Sequence, residues 1–366
     1  MHIILLWAIL VVVGLFAVYS VSVFESFWLT LYRVEEWLRA EPTNYFYFFE
    51  QLTNIGVWVA VCLLVTLVPW QFIKRMKHVI FLVTLAATLL LFTPLAETYK
   101  WATAWLDLWF TNIQPGEFFK LGFVFFLGSW LLRKRPVMNE LTWYIWFLII
   151  TGVCYSIFFL IPDLWTVYVL APVSLLMFWY AWGKKSYIVL TMGIGIGAMF
   201  LAATQFDHIR VRLDYYLNPG KYENNRDVGR QNKQALLAIW WWGWVGKWYG
   251  KWLQKFGYLP EAQSDFIFAA LAEEIGVIWI GIILALYLSL ARVVLKKLPT
   301  ISDEEDQIFV IGLLSLVIMQ AFINMGVNMS LLPLTGLTLP FFSHWGSALL
   351  VNMTEVILIW KIITKR

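Results

Sequence analysis

Ten apolar runs, each close to the length of a bilayer-crossing helix, constrain this chain more than any other feature. A helix rising about 1.5 Å per residue needs about 20 residues to cross about 30 Å of hydrocarbon. The runs occupy residues 3–24, 44–69, 79–96, 115–132, 141–161, 163–182, 186–204, 265–293, 307–330 and 341–363. Of the 366 residues, 61% are hydrophobic and 14% charged, which leaves too few polar side chains to clothe a soluble domain. The expectation is an all-α integral membrane protein: one polytopic domain over 1–366, with ten transmembrane helices and a large loop at 205–264 between the seventh and eighth.

Charge sets the orientation. Cationic residues follow the even-numbered runs: Lys74, Arg75 and Lys77; Arg133, Lys134 and Arg135; Lys184 and Lys185; Arg292, Lys296 and Lys297; and Lys365 with Arg366. The positive-inside rule then puts both termini in the cytoplasm and the 205–264 loop outside. The nine Lys and Arg of that loop do not oppose this, because long loops translocate largely regardless of charge. The first apolar run lacks a basic region before it, having only His2 there, and no small-residue cleavage site follows it, so a retained helix is expected. Cys62 and Cys154 sit inside apolar runs without Cys or His neighbours, which suggests neither a disulfide nor a metal site. The net charge of +4 reflects the cytoplasmic anchors, and no nucleic-acid-binding patch stands out.

Ionisable groups inside membrane runs are costly unless partnered, which makes each a functional candidate. Glu117 and Lys120 in "QPGEFFK" lie three apart on one helix face, where they can neutralise each other. A structural pair and a functional one read alike at that spacing. Asp163 in "IPDLW" follows a proline at the head of the sixth run, a capping position. Asp265 lies in "YLPEAQSDFIF", where the loop turns into an apolar helix; by spacing alone it is an N-cap candidate more than a catalytic one. Glu273 and Glu274 follow roughly 12 Å deeper on the same helix and require partners. Arg210 and Arg212 in "FDHIRVRLDYYLNP" suit phosphate oxygens or snorkelling equally.

The run "GYLPEAQSDFIFAALAEEIG" closely resembles the loop-to-helix signature of the SEDS family, the shape, elongation, division and sporulation proteins. Other segments agree, in family order. "VYSVS" ends the first run as it does in that family; "NIQPGEFFKL" is similar to its QPSE-x-x-K element, and "IPDLWT" to its PDLGT. "LNP…GRQNKQALLAI" resembles the segment before a glycine-rich loop, and "NMGVNMSLLPLTGLTLPFFSHWGSALL" resembles the family's last signature. The second threonine of "TGLTLPF" is more like the division and sporulation branch than the elongation branch.

The resemblance implies a peptidoglycan glycosyltransferase that polymerises lipid II on the outer face of the bacterial cytoplasmic membrane, in division or cell-shape maintenance. The family's catalytic aspartate falls on Asp265, where a general base would take the proton of the acceptor's GlcNAc 4-hydroxyl. Asp265 is also the expected ligand of a divalent cation, Mg or Mn. Arg210, Arg212, Lys247 and Lys255 are the candidates for the lipid pyrophosphates, in that order, since cations can stabilise such a leaving group without an acid. Glu117 and Lys120 are expected to shape the cavity, with Glu261, Glu273 and Glu274 behind it. Implied partners are lipid II, the undecaprenyl-linked glycan, a class B penicillin-binding protein and the division or elongation machinery. A lipid flippase or a non-catalytic division scaffold would use the same ten runs without bond chemistry.

Departures from the family pattern concern glycine. Gly116 replaces the serine of QPSE and His344 the tyrosine of SYGGSS, while Trp165 and Trp345 occupy glycine positions. Trp242, Trp248 and Trp279 do so too, as do Trp109 and Trp240. Changing Trp240, Trp241, Trp242, Trp248 and Trp252 to glycine turns "AIWWWGWVGKWYGKWLQKFG" into an ordinary glycine-rich family loop. The chain has 23 tryptophans against 22 glycines, whereas glycine is ordinarily among the commonest residues and tryptophan is not. This pattern predicts a source that decodes UGA as glycine, with those codons translated here as tryptophan. Trp105 matches a family tryptophan and is expected to be genuine. An aromatic belt at the membrane interface is the alternative, but it does not account for tryptophan within "PDLWT" or "SHWGS".

Overall fold

The structure, a computed structural model, describes residues 2–35, 41–99, 102–107, 112–137, 139–161, 163–219, 228–240, 243–246, 259 and 261–364. Fourteen α-helices are described: α1 (His2–Val21), α2 (Val23–Glu35), α3 (Phe46–Leu67), α4 (Trp70–Arg75), α5 (Lys77–Leu89), α6 (Pro115–Lys134), α7 (Leu141–Leu160), α8 (Leu164–Tyr180), α9 (Lys185–Gln205), α10 (Asp207–Leu217), α11 (Val228–Trp240), α12 (Ile267–Lys297), α13 (Glu304–Asn328) and α14 (Gly346–Thr364). Each of the ten apolar runs holds a helix. Seven helices, α1, α3, α7, α9, α12, α13 and α14, are long and apolar enough to cross a membrane. Of the other three runs, those of α5 and α8 carry shorter apolar helices, and α6 carries Glu117, Lys120, Arg133 and Lys134.

Two features depart from the sequence expectation. The 205–264 segment contains α10 and α11, so it is not a plain loop. A three-stranded antiparallel sheet, in the order β1 (Ala96–Tyr99), β2 (Ala102–Asp107), β3 (Asn112–Ile113), lies between α5 and α6. Its register pairs Ala96 with Leu106 and Leu106 with Ile113, and Leu106 packs with Leu91 and Ile161 in a small buried cluster. The strands escaped the apolar-run reading because they are short and half polar.

The chain divides into two compact units. One comprises residues 1–61, 211–292 and 320–349. In it α1 passes so close to the 341–342 backbone that a Cβ on Gly14 would stand 2.1 Å from the Phe341 carbonyl oxygen. Gly276 breaks α12 with φ 76 and ψ −179, a conformation open essentially only to glycine. The break strips Val277 and Ile278 of their helical acceptors, and their N–H groups donate instead to the carbonyls of Gly243 (3.1 Å) and Trp244 (3.3 Å). That clasp leaves no room for side chains: a Cβ on Gly276 would lie 2.3 Å from the Gly246 nitrogen, and one on Gly246 would lie 2.3 Å from the Glu274 carbonyl oxygen.

The other unit comprises residues 62–210, 293–319 and 350–366. Its core is aromatic, with Phe81 stacked on Phe126 at 4.3 Å, Phe119 edge-on to Phe158 at 5.1 Å and Phe147 against Phe178 at 4.6 Å. At one end Lys74 pairs with Asp303 (2.5 Å) and Asp306 (2.8 Å), Lys77 with Glu305, and Arg135 with Glu304 (2.6 Å). The three acids Glu304, Glu305 and Asp306 also form the first turn of α13, where they favour its N-terminal dipole.

The α8 helix ends in a Schellman arrangement: Gly183 N–H donates to the Phe178 carbonyl (3.0 Å) and Trp182 N–H to that of Trp179 (3.1 Å). Trp182 thereby takes φ 68, the left-handed position where helix ends favour glycine.

Candidate functional site

Asp265 sits in the turn that leads into α12, and the backbone there is held from three sides. Its carbonyl oxygen accepts from the side-chain amides of Asn324 (2.9 Å) and Asn328 (3.0 Å), both on α13. The Ser264 carbonyl accepts from Ser343 Oγ (2.5 Å), and the Gln263 carbonyl from the His344 N–H (2.9 Å). Three successive carbonyls are therefore tied to α13 and to the 339–344 signature segment. Glu261 opens the turn with φ 56, and its side chain accepts from Ser264 Oγ (3.1 Å).

Burial singles out the aspartate. From residue 262 to residue 274 every position is buried except Asp265, which is partly exposed. Its neighbours are buried and held by hydrogen bonds to their main chain, while Asp265 itself stays partly exposed. As α12 begins at Ile267, Asp265 precedes the helix by a residue more than a simple N-cap would. Deeper in the helix, the partner that Glu274 required is Ser20 of α1, whose hydroxyl donates to it. Glu273 beside it is 1% exposed.

The cationic candidates separate. Arg212 reaches the segment after α13, where Nη1 donates to the Leu334 carbonyl (3.3 Å). Arg210, on the same helix α10, pairs with Asp207 at 2.7 Å with its side chain 63% exposed. Lys247 and Lys255 lie outside the described residues, as do Trp109, Trp241, Trp242, Trp248 and Trp252.

In the second unit, Lys120 Nζ contacts Glu117 Oε2 at 2.7 Å, the pair its spacing predicts, with both side chains buried. Asp163 stands at the head of α8, and its carboxylate accepts from Thr166 Oγ1 (3.0 Å) in the first turn of that helix. Gly116 is the reason these parts fit, since a Cβ there would meet Thr166 Oγ1 at 2.9 Å and Asp163 Oδ2 at 3.1 Å. The serine of the family motif would crowd the same spot. Glu355 on α14, 1% exposed, lies within the field of Glu117 and Lys120.

Sequence reasoning missed Asn324, Asn328, Ser343 and Glu355. Two asparagines four apart in an apolar helix were a readable signal, because a buried amide in a membrane helix needs partners as a charge does. Among the described residues no three His, Cys, Asp or Glu side chains gather to hold a metal.

The family described as "Cell cycle protein", FtsW, RodA and SpoVE, matches residues 1–366. A probable peptidoglycan glycosyltransferase FtsW of Marinobacter nauticus is 30% identical over 330 residues, covering 88% of this chain and 82% of that one. Stage V sporulation protein E of Bacillus subtilis is 29% identical over 352 residues, 95% of this chain and 92% of its own. Among solved structures, a chain from a peptidoglycan synthase complex that coordinates polymerisation and crosslinking superposes with a TM-score of 0.78 at 20% identity, covering 100% of this chain and 97% of that one. The rod shape determining protein RodA of Thermus thermophilus gives a TM-score of 0.71 at 19% identity, with 100% and 96% covered. With its motifs in family order, its helices in the RodA arrangement and the family pattern matched from end to end, the chain belongs to the FtsW, RodA and SpoVE family.

Proposed function

We infer that the protein is a peptidoglycan glycosyltransferase of the cytoplasmic membrane that polymerises lipid II, with Asp265 as the general base. The observation that carries this reading is the immobilised turn: Asp265 is the one partly exposed residue in the buried, backbone-tethered run from 262 to 274. A base must be held within hydrogen-bond reach of the proton it takes, and such anchoring serves that need.

In the reaction, the acceptor's GlcNAc 4-hydroxyl oxygen forms a bond to the donor's anomeric carbon as Asp265 takes the hydroxyl proton. The bond from that carbon to the lipid pyrophosphate breaks, and the pyrophosphate leaves with the electron pair. Its charge calls for cations, not an acid, and Arg212 is the described candidate on the same unit as Asp265. No step is assigned to a bound metal. The buried Glu117–Lys120 pair with Asp163 and Glu355 shapes the second unit.

The reading extends to ten membrane crossings with both termini in the cytoplasm, on the strength of the cationic clusters and the ten helices. It also extends to a partner: the structural likeness to a chain of a synthase complex supports assembly with a crosslinking class B penicillin-binding protein.

The purified protein in proteoliposomes with labelled lipid II tests this. Glycan ladders are expected. Translocation of lipid II without ladders would make the protein a flippase, and neither activity would make it a scaffold.

A further inference from the structure

We propose that Asn324 and Asn328 are positioning residues that hold Asp265 out of α12, an inference that rests on the reading of Asp265 as the base. The two asparagines are four apart on α13 and so share one face, 1% and 0% exposed. Asn328 is placed where a helical hydrogen bond would run. Its Nδ2 donates to the Asp265 carbonyl (3.0 Å) while its Oδ1 accepts from the Ala269 N–H (3.2 Å). Residues 265 and 269 are the i and i+4 partners of one α-helical bond. The side-chain amide is inserted between them and takes the place of that rung.

The remaining donors of the network are all engaged. Asn324 Nδ2 donates both to the Asp265 carbonyl (2.9 Å) and to the Leu337 carbonyl (2.7 Å), and the second proton of Asn328 Nδ2 goes to the Asn324 carbonyl (2.9 Å). Each amide nitrogen has two protons and both are used; the Asp265 carbonyl has two lone pairs and both are used. Two buried side-chain amides that each spend one proton on the same carbonyl, and are themselves anchored by the other, fix that carbonyl's peptide plane.

The consequence concerns the reacting carboxylate. With apolar residues at 324 and 328, the Asp265 carbonyl and the Ala269 N–H would satisfy each other. The α12 helix would extend back by part of a turn, and Asp265 would rotate with it. A displacement of about 1 Å at a reacting group costs on the order of a hundredfold in rate. Substrate binding, which spreads over other groups, would change far less.

Asn328→Leu and Asn324→Leu remove the donors at similar volume, and Asn328→Asp keeps an acceptor for Ala269 while presenting no donor when ionised. Full-length variants in proteoliposomes are assayed with lipid II, together with a thermal melt and amide exchange at Ala269. The expected result, read from whichever variants are folded, is at least a tenfold fall in kcat with KM within about threefold of wild type, and a shifted pH midpoint of kcat/KM. Wild-type kcat in a folded variant overturns the inference, as does a loss confined to KM. An active Asp265→Asn protein would instead remove the base itself, whereas an inactive one beside active asparagine variants would remove only the positioning role.

Discussion

Replacing Trp182 by glycine and, separately, by alanine measures the strain at the end of α8. Trp182 holds φ 68, and a non-glycine residue in that left-handed region costs about 1–2 kcal/mol. Its side chain is 67% exposed, so truncation forfeits little burial. What it does forfeit is the Arg135 guanidinium, 4.8 Å from the ring centre, worth about 0.5–1 kcal/mol at an exposed site. Alanine loses that contact and keeps the strain, so Trp182→Ala should be less stable by about 0.5–1 kcal/mol. Glycine loses the contact and sheds the strain, at an entropic cost of about 0.5–1 kcal/mol in the unfolded chain. Trp182→Gly should therefore stay within about 0.5 kcal/mol of the parent and exceed Trp182→Ala by about 0.5–1 kcal/mol. Unfolding titrated with SDS in mixed micelles provides the comparison. Equal stability of the two variants, or a more stable alanine, would refute the strain argument.

The same position joins those that the sequence pattern expects to be glycine. Peptide masses from the native host should show glycine at residues 165, 182, 279 and 345, and tryptophan at those positions would end the UGA reading. Gly276→Ala should cost more than about 3 kcal/mol, since it forces both a forbidden conformation and overlap with the 243–246 clasp; stability within about 1 kcal/mol of wild type would show that the clasp yields. The Lys74–Asp303 contact has opposite pH limits. Burial lowers the pKa of Lys74, but the hydrogen bonds to Asp303 and Asp306 outweigh it and leave the value raised, so its stabilisation is complete below 10.5 and is lost as pH rises through the higher folded value. Burial raises Asp303, but the Lys74 hydrogen bond outweighs it and leaves the value lowered; its contribution is complete above 3.8 and is lost as pH falls through the lower folded value. Lys74→Met should flatten both limbs of the stability profile, and an unchanged profile would assign them to other groups.

The helices were legible in the sequence because hydrocarbon thickness dictates their length, and all ten apolar runs hold one. The Glu117–Lys120 pair was legible because three-residue spacing puts both on one face. The break in α12 was not: "EEIGV" reads as uninterrupted helix, and only the approach of the 243–246 backbone shows why Gly276 is there. The tethering of Asp265 was hidden for a different reason. Its donors lie 59 and 63 residues away on α13, so no local spacing announces them. Asp163 shows the reverse, a local capping signal whose partner, the Thr166 hydroxyl, lies three residues on in the first turn of α8.

Asp265→Asn in the lipid II polymerisation assay separates the chemistry of the carboxylate from its place in the fold. Asparagine preserves the size of the side chain and leaves the main-chain tethers to Asn324, Asn328 and their neighbours in place, but it cannot accept the hydroxyl proton. The general-base role of Asp265 predicts a folded, membrane-inserted protein whose glycan ladders fall by about 10²- to 10⁴-fold, the range ascribed to a positioned base. Near-normal ladders from the asparagine variant would contradict it.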